Sequence, residues 1–413
     1  MRASYLGSQT SRRIDFRGQR EVSAWHRLRT RVFTRATVWC VASSLAVIAH
    51  LSVAAAGLST AAANDLRLSG GGSSPDLVFA CDGPTSELDS LFSQSAVISD
   101  LQALKAGVAL DVPDLTAERA RLVRRLNDAG ISLTAWLALP QEQGYYLNAS
   151  NAQEAAAHFA DLENWSAANG LRWANVGLDL EPNIQEFGAL KQGSKWHLVS
   201  TLAVRYFEVE RIRQAKLAYS ALIREMQARG YRVQTYQFPF IADERAVHTT
   251  LLERLAGVLD LQSDQEVLMT YTSFNHKLDS ALISAYGPDA QAVAVGSTVG
   301  SDSDPHFVPL NWEEFSRDLK VANHFSHTIG VYNLNGCVRQ GFLSRLKTVN
   351  WNEQVIIPAE SVRQATRFRA RVQRILWIGS HLLYFIAVLL STAALIVVLW
   401  NRRRSPTKTR VVA

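Results

Sequence analysis

Eight short β-rich runs, alternating with amphipathic stretches, set the narrowest limit on what this chain can fold into. They are DLVFACDG (76–83), AGVALDVPD (106–114), ISLTAWLALP (131–140), WANVGLDLEPN (173–183), YRVQTYQFPFI (231–241), EVLMTYTSF (266–274), AVAVGSTVG (292–300) and TIGVYNLNG (328–336). Between them, stretches such as TAERARLVRRLNDAG, AKLAYSALIREMQARG and NWEEFSRDLKVANHF repeat apolar residues three and four apart, the period of a helix with one buried face. Gly130 and Gly230 stand where two such helices would end, because glycine takes the left-handed closing conformation at little cost. Alternating strand and helix predicts a parallel sheet. Eight units over residues 76–360 predict an α/β chain closed into a (β/α)8 TIM barrel, whose usual length is about 250 residues plus insertions. The open doubly wound alternative favours a Gly-rich first turn, and CDGPTSELD contains no G-x-G-x-x-G.

Two stretches, Ala36–Ala63 and Ile375–Trp400, contain no Asp, Glu, Lys or Arg. Each can cross a hydrocarbon core of about 30 Å, which takes roughly 20 helical residues. The second, with arginines outside it and tryptophans near its ends, reads as a transmembrane helix. The first reads as a transmembrane signal anchor, or as a signal peptide cut near Ala61–Ala63. Residues 1–35 carry nine Arg against two acids, 361–374 five Arg, and 401–413 four Arg and one Lys; a whole-chain charge of +6 then leaves residues 64–360 at −11. Positive flanks stay inside, which puts 1–35 and 401–413 in the cytoplasm and the barrel outside the cell membrane. Residues 64–75 read as a flexible linker, and the basic 361–374 as a juxtamembrane segment on the lipid bilayer. An acidic globular part argues against nucleic acid as a partner, because neutralising phosphates takes clustered Lys and Arg.

Barrel enzymes carry their chemistry at the C-terminal ends of strands. Here those ends offer Asp82, Asp111, Trp136, Asp179, Glu181, Tyr236, Gln237, Tyr271, Tyr332 and Asn333, with Tyr146 just beyond. The fourth run is the richest. Alternation turns Gly177, Asp179 and Glu181 to one side and Val176, Leu178 and Leu180 to the other, so two carboxylates enter the lumen near its mouth. Neighbouring acids repel, and one of them keeps its proton toward neutral pH, as a general acid requires. The blander reading is that the pair binds an Arg or caps the next helix. The aromatic residues at this end suit the C–H faces of sugar rings, with polar tips for hydroxyls, although packing alone accounts for any single one. Cys81 ends the first run and Cys337 follows the eighth, which are neighbours in a closed barrel. They could form a disulfide or be two separate buried thiols.

Gly177-Leu178-Asp179-Leu180-Glu181 resembles the end of the D-x-x-D-x-D-x-E motif of chitinase-like family 18 glycoside hydrolases, which are TIM-barrel glycosidases. Met269-Thr270-Tyr271 is similar to that family's M-x-Y element. The resemblance implies that Glu181 protonates the glycosidic oxygen. It implies that Asp179 orients the substrate's own acetamido group for attack on the anomeric carbon, and that Tyr271 hydrogen-bonds that group. Such a route needs no second carboxylate as nucleophile. The motif's two earlier aspartates are Ala174 and Gly177 here, and Thr272 stands where the family has a further Asp. Glu181-Pro182 also resembles the acid/base of the wider barrel glycosidase clan, but AVAVGSTVG lacks the nucleophilic Glu of that clan's seventh strand. Asp82 and Asp111 are then the remaining second carboxylates.

The chain is therefore expected to be a membrane-anchored glycoside hydrolase acting on an extracellular or cell-envelope polysaccharide or oligosaccharide. The alternative is a catalytically inactive barrel that binds glycan or scaffolds an envelope assembly. No cofactor or metal is implied. His324-x-x-His327 lies outside any H-E-x-x-H, no P-loop is present, and Ser297 lacks a G-x-S-x-G elbow.

Overall fold

The computed structural model describes residues 64–404 apart from 70, 187–193, 275 and 300–307. The expected cytoplasmic segment 1–35 and signal anchor 36–63 lie outside the described residues. All eight runs form strands: β2 (Asp76–Cys81), β3 (Gly107–Asp111), β4 (Leu133–Leu137), β5 (Asn175–Asp179), β6 (Arg232–Gln237), β7 (Gln265–Met269), β8 (Ala292–Gly296) and β9 (Thr328–Tyr332). They pair in sequence order, and β9 pairs in parallel with β2, Thr328 opposite Asp76, so the ring closes. The flanking pair is β1 (Leu66–Ser69) and β10 (Gln354–Ile357).

Both faces of the barrel strands are covered, which is why β4, β7 and β8 are buried at every residue, β8 reading as an apolar run. Outward-facing Leu137, Leu178 and Val233 pack with Ile212, Tyr219, Leu222 and Met226 of the helix Val209–Ala228, whose spacing is that of one helical face. Each such side chain contributes about 1.5–3 kcal/mol by leaving water. A capping box between Asn311 and Glu314 starts the helix Trp312–Phe325, satisfying two otherwise unpaired N–H groups. Inside the ring, Gln234 donates to Gln265 at 2.8 Å and Asn175 to Thr134 at 3.1 Å, a polar layer beneath the mouth.

The segment expected to be a free linker is partly structured. Leu66–Ser69 is β1, antiparallel to β10 with Leu66 opposite Ile357, and Leu68, Val355 and Ile357 are buried. His324 Nδ1 lies 2.9 Å from the Ser69 carbonyl, which ties the ribbon to a barrel helix. The basic segment 361–374 also departs from expectation. It lies within one helix, Ala359–Ser380, docked on the barrel. Arg369 Nε donates to the fully buried Asp243 at 2.7 Å, Gln373 adds a bond at 2.9 Å, and Phe368 packs on Phe240 with ring centroids 6.0 Å apart. An arginine-rich face reads the same in sequence whether acidic protein or anionic lipid receives it.

Ile375–Ser380 complete that docked helix, with Leu376 buried, so the apolar segment proper starts later than expected. The helix Leu382–Arg404 forms part of a separate unit from the barrel unit Thr60–Ser380. Among the described residues one helix is long and apolar enough to cross a membrane, over the 20 residues Leu382–Asn401.

Candidate active site

On β5, Asn175, Gly177 and Asp179 face the lumen, as strand alternation requires. A Cβ at Gly177 would come 2.8 Å from Tyr236 Cε2. Glycine is thus what lets the Tyr236 ring lie across β5. Two residues past the end of the strand, Glu181 reaches the same space as Asp179. That space is a cavity of about 410 Å3 at the C-terminal mouth, walled by Trp136, Tyr146, Tyr236, Met269, Tyr271 and Tyr332 around the two carboxylates. The Tyr271 ring lies 5.8 Å from that of Tyr332 and 6.1 Å from that of Phe274, centroid to centroid. Short side chains at Ala80, Ala109, Ala294 and Gly330 leave the floor open.

The electrostatics are those of acids held away from water. Asp179 is 5% exposed. Burial, then the Glu181 and Asp82 carboxylates, push its proton affinity well above the usual carboxylate range. Burial lifts Glu181 to about 7. No Lys or Arg among the described residues offsets either acid. Burial and the same carboxylates raise the Tyr271 and Tyr146 phenols, so both stay protonated as hydrogen-bond donors. Asp179 Oδ1 and Trp136 Nε1 find no partner among the described residues. Buried polar atoms normally do find partners, and Asp179 and Trp136 both line the cavity. An acid that titrates near 7 is matched to proton transfer at neutral pH.

Four other expected site residues do not line the cavity. Asp82 accepts from the Tyr332 hydroxyl at 3.0 Å and from Asn333 Nδ2 at 2.9 Å, and so positions the Tyr332 wall. Asn333 caps the helix Leu334–Arg339, accepting from Gly336 N–H at 3.0 Å. Asp111 is turned into the protein, where Arg119, 1% exposed, donates to it at 3.1 Å and to Asp114 at 2.9 Å. Gln237 follows Tyr236 by one residue and therefore faces the helices, donating to the Leu261 carbonyl at 3.3 Å. Cys81 and Cys337 are free. Their sulfurs turn to different partners, Asn335 Oδ1 and Thr298 Oγ1, each at 3.7 Å, and burial keeps both thiols protonated. The candidate disulfide does not form, with Cys81 at the end of β2 and Cys337 in the helix after β9.

Sequence reasoning missed Phe274, 70% exposed at the rim, and the short floor residues. The floor had one faint signal, lumen-facing positions occupied by Ala or Gly. Thr272, at a family Asp position, is buried and donates to Asp318. Among the described residues no cluster of three His, Cys, Asp or Glu could hold a metal.

No family model and no curated protein matches this sequence. Among solved structures the chain is similar to a D-allulose 3-epimerase from Methylomonas sp., at 12% identity over 72% of this chain and 98% of that one, with a TM-score of 0.37. It is similar to a 3-keto-D-glucoside 4-epimerase from E. coli, at 11% identity over 72% and 99% of the two chains, TM-score 0.37. It is also similar to an endo-β1,6-glucanase, at 12% identity over 77% and 81%, TM-score 0.39. The likeness lies in the layout of strands and helices and carries nothing about chemistry.

Proposed function

We propose that this protein is a membrane-tethered glycoside hydrolase that cleaves an oligosaccharide or polysaccharide outside the cell, with Glu181 as general acid. One observation supports the reading above the rest: Asp179 at the end of β5 and Glu181 just past it reach one aromatic-walled cavity with raised proton affinity, and among the described residues no counter-cation offsets them. Glu181, whose proton affinity burial raises, gives its proton to the glycosidic oxygen as the bond breaks. In the family-18 version, Asp179 holds the substrate's acetamido group, whose oxygen attacks the anomeric carbon, and Tyr271 donates to it. The Glu181 carboxylate then takes a proton from the water that opens the cyclic intermediate. Tyr332, braced by Asp82, and Trp136 give the sugar faces to pack on. The helix Leu382–Asn401 is the tether.

The test is turnover of chito-oligosaccharides and plain glucans by the full-length protein and its Glu181→Gln variant. Cleavage of one class by the wild type, lost in the variant while sugar affinity stays, is the expected result. Equal turnover by both removes Glu181 from the chemistry. A second reading draws on Thr272, which stands at a family Asp position and is engaged with Asp318: a barrel that binds glycan without cutting it. Tight binding with no cleavage by the wild type selects it.

A further inference from the structure

We infer that the helix Lys195–Tyr206 lies in the lipid interface, as a second membrane contact beside the C-terminal span. Its sequence, KWHLVSTLAVRY, contains no acidic residue. Trp196 is 83% exposed, Val199 57%, Val204 62% and Phe207, one residue past the helix, 64%. Positions 196, 199, 203 and 207 are three or four apart and form one stripe, with Val204 at its side. Single exposed apolar residues are ordinary, whereas a contiguous run of them marks a surface that is covered in use.

The opposite side of the helix is already committed. Arg205, 8% exposed, donates to the Leu255 carbonyl at 2.9 Å and pairs with Glu186. The helix is therefore held on the barrel through Arg205, with Trp196, Val199 and Val204 left outward.

What covers the stripe follows from where the helix ends. The Tyr206 hydroxyl donates to the carbonyl of Ser380 at 3.1 Å. Ser380 closes the docked C-terminal helix, and Leu382 opens the segment read as the span. Two residues of chain reach at most about 7 Å. Whatever direction the span takes, the chain starts it within that reach of Ser380, whose carbonyl Tyr206 holds. Tryptophan on the acid-free helix and phenylalanine just past it suit that depth, where aromatic rings sit at the headgroups. A soluble partner would have to compete with lipid delivered by the chain itself. The inference rests on Leu382–Asn401 as a span and is independent of any activity of the barrel.

The experiment uses the full-length chain with Cys40 replaced by serine, since Cys81 and Cys337 are buried. It is placed in nanodiscs containing anionic phospholipid. A nitrobenzoxadiazole label is attached at Val199→Cys, at Val204→Cys, and at the reference Leu217→Cys, which is 54% exposed on the helix Val209–Ala228. Doxyl-labelled lipid should quench the first two labels several-fold more than the third, with blue-shifted emission. Equal quenching at all three positions overturns the interfacial helix. Release of the whole chain from bilayers by alkaline carbonate overturns the span and the interfacial helix together. Retention in the bilayer with unquenched Val199 and Val204 labels overturns the helix alone.

Discussion

Two strands of this barrel end in aspartate, and the two acids have opposite fates. Asp111 ends β3 and Asp179 ends β5, and each has another acid close behind it, Asp114 and Glu181. Both aspartates are buried, at 2% and 5% exposure. The difference is one guanidinium. Arg119 sits between Asp111 and Asp114, pulls against burial, and leaves Asp111 at about 6, ionised at neutral pH. Asp179 has only the further acids Glu181 and Asp82 near it, and it keeps its proton. Burial is common to Asp111 and Asp179, so burial does not mark the site. A buried carboxylate with its counter-charge helps hold the fold together, whereas one without it is unfavourable.

The largest expected effect breaks the β5 pair. Glu181→Gln cannot give up a proton, and turnover should fall by roughly 10²–10⁴-fold while the unfolding midpoint holds or rises. Turnover assays and thermal melts on the same preparation check this. A variant that melts early would mean Glu181 is scaffold after all. Next comes the β3 pair. Arg119→Met leaves two carboxylates without their partner, one of them fully buried, and should cost about 3–5 kcal/mol in urea unfolding. Unchanged stability in that variant would erase the distinction between the two pairs.

The asymmetry between the pairs was only half legible in the sequence. The β5 pair shows itself because alternation over Val176–Glu181 is local, and short β-rich runs, equally local, marked all eight strands. Arg119 lies eight residues after Asp111, on the next helix, and nothing local says that its side chain folds back under the strand. The other misreadings have the same cause. Leu66–Ser69 looked like linker because its partner, β10, lies at the far end of the barrel sequence. Helix 359–380 looked like a lipid-surface segment because Asp243, which neutralises Arg369, is 126 residues away. Gln237 was an error of another kind, since strand parity alone separates it from Tyr236. Local period fixes which face a residue takes, whereas partners arriving from distant chain decide what that face does.

A smaller effect sharpens the comparison through pH. Below the ordinary aspartate value of 3.8, Asp179 is protonated in folded and unfolded chains alike and contributes no difference. As pH rises past it, the unfolded chain releases the proton while the folded chain keeps it, so wild-type stability falls. Asp179→Asn escapes that loss. The variant should match the wild type near pH 3 and become the more stable of the two from about pH 5 upward, since each tenfold tighter hold on a proton is worth ~1.4 kcal/mol. Melting curves at pH 3, 5 and 8 test the sign, and a variant less stable at pH 8 would show that the carboxylate is ionised and paired.

The smallest effect tests the placement of the cavity itself. Gln237 is 2% exposed and adjoins the cavity wall in sequence, but its side chain lies on the helix side, where Oε1 has no partner among the described residues and Nε2 makes one long bond of 3.3 Å. Gln237→Met removes the unpaired oxygen and gives up one weak bond, so stability should move by no more than about 1 kcal/mol in either direction. Turnover and sugar affinity should not move at all. Tyr236→Phe, one residue earlier on the lumen side, should weaken sugar binding and, by losing the hydroxyl's bond to Gln234, cost about 1 kcal/mol of stability. If instead the Gln237 variant loses affinity and the Tyr236 variant does not, the parity of β6 is reversed, and the wall that faces Asp179 is a different one.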